Sequence, residues 1–316
     1  MPHPSQPPRS PSTPRTLRTA LASVTAVLHG TFRLKRVGAI AAMLVSVAAA
    51  FSVAAPQRPQ PVPSPRVYVF DCGDIKGLDP ALFRFKKEEL AETDFVVTCY
   101  LIAHPRGTLM WDVGVIPDGA FKADGAPVTE GRSTVKRPLR PQLAAAGYRP
   151  ADITYLAMSH YHSDHTANAN DFAGATWIVQ QAERDVMFAE KPQGIIKPEH
   201  YNALKNSKTI VLKNEDHDVF GDGTVVLKTT PGHTPGHQVL FVKLAKTGPL
   251  LLAGDLYHYP EERTFKRFPT FEFNVEQSTA SRAKMDDFMK QTGARMWIEH
   301  DKPTHAKLKK APEYYD

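Results

Sequence analysis

Cysteine is nearly absent: the 316 residues contain only Cys72 and Cys99. Both precede the histidine-rich part of the chain, which sets them aside as metal ligands. In an oxidising compartment they could pair if neighbouring strands bring them close; otherwise they are small buried side chains. Acidic residues are missing altogether from the first 55 positions, which carry six basic ones, Arg9, Arg15, Arg18, Arg33, Lys35 and Arg36. The formal charge of +6 therefore belongs to that leader, since the remainder holds 33 Lys and Arg, the 39 of the whole chain less those six, against 33 Asp and Glu. A neutral body offers no electrostatic footprint for a phosphate backbone, which excludes nucleic acid as a partner. Long apolar runs are lacking too, and the most apolar stretch, residues 37–51, falls short of the about 20 residues that span a bilayer. What is there, at 42% apolar composition, suffices for a sizeable core and is neither disordered nor fibrous in type.

That apolar stretch follows Arg33-Leu34-Lys35-Arg36 and runs into the small residues Val53-Ala54-Ala55, the layout of a secretory signal peptide. The expectation is an exported protein, periplasmic or secreted, with a leader over 1–55 cleaved after Ala55 and no membrane partner beyond it. An uncleaved anchor, or a leader ahead of the true start codon, are the alternatives. Residues 56–65 (PQRPQPVPSP) read as an extended proline-rich linker, and the folded domain occupies 66–316. Within it, β-type runs at 67–70, 95–102 and 109–115 open a meander. A short helix at 140–146, strands at 155–159 and 176–179 and a helix at 181–189 follow. Strands recur at 209–212, 224–229, 238–242 and 250–253, before a helix at 280–291 and a strand at 295–299. Two mixed α/β halves, each sheet covered by helices on one face, pack most economically as a four-layer αββα sandwich.

The chemistry concentrates in Ser159-His160-Tyr161-His162-Ser163-Asp164-His165, four potential ligands in six positions directly after a strand. Imidazole and carboxylate suit Zn²⁺, and alternate residues leaving a strand project the same way, so His160 and His162 can hold one ion while Asp164 and His165 face a second. His233 lies in Thr230-Pro231-Gly232-His233-Thr234-Pro235-Gly236-His237, where prolines and glycines pin a tight loop. Asp255 follows the apolar run at 250–254, and His300 ends the strand at 295–299.

These motifs occur in order, separated by 68, 22 and 45 residues between His165, His233, Asp255 and His300. The set resembles the metallo-β-lactamase superfamily, and more narrowly its N-acyl-homoserine lactone lactonases, over residues 70–300. The resemblance implies the αββα fold and a dinuclear zinc site. In it His160, His162 and His233 hold one Zn²⁺, Asp164, His165 and His300 the other, and Asp255 bridges them. It also implies a hydrolase of carboxylic esters or lactones in which a hydroxide between two ions about 3.5–4 Å apart attacks the carbonyl, with Asp164 passing a proton to the leaving group. Asp112 would orient a histidine ligand and His237 would support its loop, while Glu299 and Asp301 read as solvated or loop-capping residues. Lactonases of this kind place a tyrosine three residues after the bridging aspartate; here that position is His258, with Tyr257 one residue early, and the pair is expected to line the substrate site. A cysteine in the second metal's shell, usual in dizinc β-lactamases, is missing, and 22 residues between His233 and Asp255 leave no room for the inserted domain of nucleic-acid-processing relatives. The expected activity is quorum-quenching lactone opening of a small-molecule substrate; a phosphotriesterase or thioester hydrolase is the alternative.

Overall fold

The computed structural model describes residues 59–191 and 194–316; the leader, its cleavage site after Ala55 and the first part of the linker lie outside them. Residues 59–65 carry no strand or helix, and Val62 is buried in the core.

The larger sheet takes its strands from residues 66–212 and the extreme C-terminus: β1 (Arg66–Ile75), β2 (Phe95–His104), β3 (Gly107–Trp111), β4 (Val128–Glu130), β5 (Ser133–Val135), β6 (Tyr155–Ala157), β7 (Thr176–Gln180) and β8 (Thr209–Leu212). They lie in the order β4-β5-β1-β2-β3-β6-β7-β8. The smaller sheet comprises β9 (His217–Asp218), β10 (Val225–Thr229), β11 (Gln238–Leu244), β12 (Gly248–Leu252) and β13 (Arg295–Trp297), with order β13-β12-β11-β10-β9. A short β14 (Tyr314–Tyr315) returns to pair with β1. The helices are α1 (Leu139–Ala145), α2 (Ser163–Thr166), α3 (Gln181–Met187), α4 (Pro260–Phe265), α5 (Val275–Thr292) and α6 (Lys302–His305).

Period-2 alternation explains why these segments stack as they do. Val67, Val69, Tyr100, Ile102, Leu109 and Trp111 from the larger sheet meet Val225, Leu227, Leu240, Val242, Leu250 and Leu252 from the smaller one in a single buried cluster. Their neighbours point the other way. Tyr68, Phe70, Cys99 and Leu101 pack outward beside Leu139 and Leu143 of α1, and Val239, Phe241 and Leu251 pack on Met285 and Met289 of α5. The expected four layers are therefore present, with the inter-sheet core at the centre.

Differences from the sequence expectation have local causes. The strand expected over 109–115 stops at Trp111 because Asp112 adopts a left-handed conformation (φ 50°), which turns the chain out of the sheet. The helix expected over 280–291 starts five residues earlier, where Asn274 caps it by accepting from the Gln277 N–H at 2.9 Å. Strand β1 runs on to Ile75 with one extra residue at Cys72, the register slipping between Asp71 and Gly73. That bulge leaves Cys72 unpaired and diagonal to Cys99 of β2, whose register partner is Phe70, and the two cysteines form a disulfide across the strand pair (Cα–Cα 5.9 Å). Among the described residues no helix is long and apolar enough to cross a membrane.

Candidate metal centre

Every cage residue lies in the turn after a strand or, for Asp164 and His165, in the short helix α2 that follows the turn, so the two sheets deliver their ligands to one rim. The segment after β6 supplies His160, His162, Asp164 and His165, the loop between β10 and β11 supplies His233, and the turns after β12 and β13 supply Asp255 and His300. The histidines and Asp255 are buried, while Asp164 is partly exposed.

Two groups result. His162 Nδ1 lies 2.8 Å from His160 Nε2 and 3.1 Å from His233 Nε2, so three ring nitrogens converge on one point. Asp164, His165 and His300 form the second group, with the Asp164 carboxylate oxygens 3.9 Å from His165 Nε2 and 3.7 Å from His300 Nε2. Asp255 stands between them and divides its oxygens. Oδ2 is 3.6 Å from His160 Nε2 and 3.4 Å from His233 Nε2, while Oδ1 is 3.3 Å from His165 Nε2 and 3.1 Å from His300 Nε2.

The side chains behind the cage fix which nitrogen is offered. Asp112 Oδ2 lies 3.1 Å from His165 Nδ1, and its Oδ1 accepts from the Ser159 N–H at 2.7 Å, so the left-handed turn at Asp112 aims one carboxylate at both. His300 Nδ1 donates to the Val96 carbonyl at 2.8 Å, and Phe95 stacks on its ring. Glu272 lies 3.3 Å from His233 Nδ1 and is itself held by the Ser278 hydroxyl. In each case the other nitrogen, Nε2, faces the cage. His165 Nε2, His300 Nε2 and Asp255 Oδ1 are buried without a hydrogen-bond partner. Leaving such atoms unsatisfied costs about 1–3 kcal/mol each. These three atoms converge with three more imidazoles, His160, His162 and His233, and with the Asp164 carboxylate in a donor set that fits divalent transition-metal ions.

His237 stays out of the cage. Its Nε2 accepts from the Asp255 N–H at 3.1 Å, so Nδ1 carries the proton and donates to Thr230, at 2.9 Å from its hydroxyl. Gly254 makes that approach possible: at φ 47° it turns tightly, and a Cβ there would lie 2.5 Å from the Ser159 Cβ and 3.0 Å from His237 Nε2. His258 faces the cage, with Nε2 3.2 Å from Asp255 Oδ2 and Nδ1 3.1 Å from Glu262 Oε1. Glu262 in turn accepts from Arg282 at 2.7 Å. Tyr257 does not line the site as expected. Extended backbone (φ −146°, ψ 143°) sends it to the opposite side from His258, among Met285 and Leu251 and under the Arg282 guanidinium at 4.2 Å. Glu299 is buried rather than solvated and accepts from the Thr98 N–H at 2.9 Å, whereas Asp301 caps α6 through the Thr304 N–H at 3.1 Å.

Burial decides the protonation of the first group. It holds His160 and His233 well below the ordinary imidazole value and His162 down at about 3. His165 goes the other way: burial opposes its charge, but Asp255 and Asp112 outweigh it and hold its pKa well above the ordinary value. Above these atoms opens a cavity of 440 Å³ whose floor includes Asp164, Asp255 and His258 and whose wall includes Leu78, Leu82 and Phe271. That volume suits a small organic ligand.

Residues 93–288 match the metallo-beta-lactamase superfamily, and the chain belongs to that superfamily. Within it the similarity runs to lactonases. The chain is 30% identical to the N-acyl homoserine lactonase AttM of Azorhizobium caulinodans, over 79% of this chain and 98% of that protein. It is 28% identical to the N-acyl homoserine lactonase AiiA of Bacillus thuringiensis subsp. kurstaki, over 69% of this chain and 86% of the relative. A solved AiiA variant with N-decanoyl-L-homoserine bound at its active site superposes with a TM-score of 0.65 at 25% identity, covering 79% of this chain and 98% of that one.

Because His162 is held at about 3, the unfolded chain takes up a proton there, below its ordinary value of 6.5, that the folded chain refuses. Its contribution to stability is present above pH 6.5 and lost progressively as pH falls toward 3. Imidazole ¹⁵N shifts of the metal-free protein at pH 5 are expected to show His162 neutral; a protonated ring at that pH would contradict the burial argument.

Proposed function

We propose that the chain is a dinuclear zinc lactonase that opens the ring of N-acyl-homoserine lactones. The observation that carries this reading is the division of the Asp255 oxygens between two imidazole groups at the floor of a cavity with an apolar wall. In it His160, His162 and His233 hold one ion, Asp164, His165 and His300 the other, and Asp255 bridges them. Such ions supply Lewis acidity and a water deprotonated near neutral pH. The protein's own residues do the rest. Asp164 is the partly exposed member of the cage, which places its carboxylate where a proton can be collected and handed to the departing alkoxide. His258 stands where related lactonases carry tyrosine, and Glu262, anchored by Arg282, fixes its ring so that Nε2 is directed into the site. Burial opposes its charge, but the Asp255 and Glu262 carboxylates outweigh it and hold its pKa up at about 10, so both nitrogens carry protons and Nε2 serves as hydrogen-bond donor to a substrate oxygen. Leu78, Leu82 and Phe271 offer the acyl chain a surface on which apolar area is removed from water, worth about 25 cal/mol per Å². The relatives support the substrate class, since the two described above are N-acyl homoserine lactonases.

Export belongs to the same reading. The Cys72–Cys99 bond supports it, because disulfides persist in oxidising compartments, and the leader sequence has the layout of a signal peptide.

Purified protein is expected to open both a short- and a long-chain acyl-homoserine lactone, and to lose that activity to a chelator. His258→Ala should lower kcat about 100-fold with metal content unchanged. A folded, zinc-loaded protein that leaves both lactones intact would sink the reading and direct the search to phosphotriesters and thioesters. For localisation, the extracytoplasmic fraction should yield a chain that begins at Pro56 and has no free thiol. A cytoplasmic chain with its leader and two free thiols contradicts export.

A further inference from the structure

Glu183 sits on α3, an element that contributes no cage residue, yet its carboxylate joins the two loops that carry the first group of histidines. Oε1 accepts from the Tyr161 N–H at 2.7 Å, between His160 and His162. Oε2 accepts from the Gly236 N–H at 2.8 Å, and the Thr234 hydroxyl reaches both oxygens at 3.0 and 2.9 Å, just after His233. The side chain is 3% exposed. These hydrogen-bond partners are neutral, and burial pushes the carboxyl up to about 7 against those bonds and the nearby His165.

The approach is close enough to restrict sequence on the other side. A Cβ at Gly236 would lie 2.6 Å from the Glu183 backbone nitrogen and 2.7 Å from its Cβ, so only glycine brings that amide within reach of the carboxylate. The second group is supported differently, by Asp112 behind His165 and the Val96 carbonyl behind His300. One side chain thus spans both sequence segments of one histidine trio and neither of the elements bearing Asp255 or His300.

We propose that Glu183 is a positioning residue that sets the spacing of His160 and His162 against His233, and so the affinity for one ion of the pair. This rests on the dinuclear reading above. Glu183→Gln keeps one acceptor and turns the other towards a donor–donor clash with the Gly236 amide.

The test is uptake of zinc by the metal-free protein in competition with a chromophoric chelator, with anomalous scattering from crystals grown at limiting zinc to assign each position. In Glu183→Gln the affinity at the His160–His162–His233 position is expected to fall about 10–100-fold, with the other position changed less than about two-fold and the thermal midpoint of the metal-free protein close to wild type. Thr234→Val, which removes a single donor, should shift the same position in the same direction by a smaller factor and covers the case in which the first variant fails to fold. Equal loss at both positions, or a fall in the midpoint with both affinities intact, would overturn the positioning role. Wild-type protein that takes up fewer than two ions would overturn the dinuclear reading and this inference with it.

Discussion

Asp255 is the group on which the rest of the structure depends. Five buried imidazoles stand around one carboxylate, with His162 Nδ1 within hydrogen-bond distance of both His160 and His233, and with His165 and His300 facing Asp255 Oδ1. Cations held between such nitrogens would satisfy them, and a carboxylate that faces both trios would lower the repulsion of two such cations. Burial works in the same direction: it holds His160 and His233 well below the ordinary imidazole value, with His162 at about 3, which keeps them in the neutral form that binds metal.

The fold supplies the convergence. Neither sheet could build the cage alone, since the larger brings the 160–165 segment and the smaller brings His233, Asp255 and His300. The inter-sheet core, from Val67 and Trp111 on one side to Leu240 and Leu252 on the other, holds the two rims in register. Glycine permits the tightest approaches. Gly254 lets the Asp255 amide meet His237, and Gly232, with φ 142°, lies where a Cβ would fall 2.3 Å from the Ser278 amide nitrogen at the start of α5. That contact seats the His233 loop on the helix whose Ser278 also holds Glu272.

Much of this was legible in the sequence, because a dense cluster of ligands after a strand and three later strand-end residues are local signals. His160, His162, Asp164, His165, His233, Asp255 and His300 all meet at one centre. The four-layer architecture followed from the alternation of its strands. What was not legible depends on contacts between distant segments. Glu183, Glu262 and Glu272 occupy helix or loop positions that look solvent-facing in sequence, and only the fold turns them inward. Tyr257 and His258 are adjacent and equally polar-aromatic, so nothing in the sequence says which faces the cage; the extended backbone at 257 decides it. The disulfide required a bulge at Cys72, which no periodicity announces.

The departure at His258 gives the site its own character. A tyrosine offers one hydroxyl, whereas an imidazole braced by Glu262 and Arg282 presents a nitrogen whose direction is fixed from behind. The account stands or falls on the pairing of two ions across Asp255, and the direct measurement is metal content per chain, by elemental analysis of protein purified without chelator, for wild type and Asp255→Asn. Two equivalents in wild type, falling to one or fewer in the variant, is the result the account predicts. A wild-type chain that holds a single equivalent, or a variant that still holds two, would contradict it.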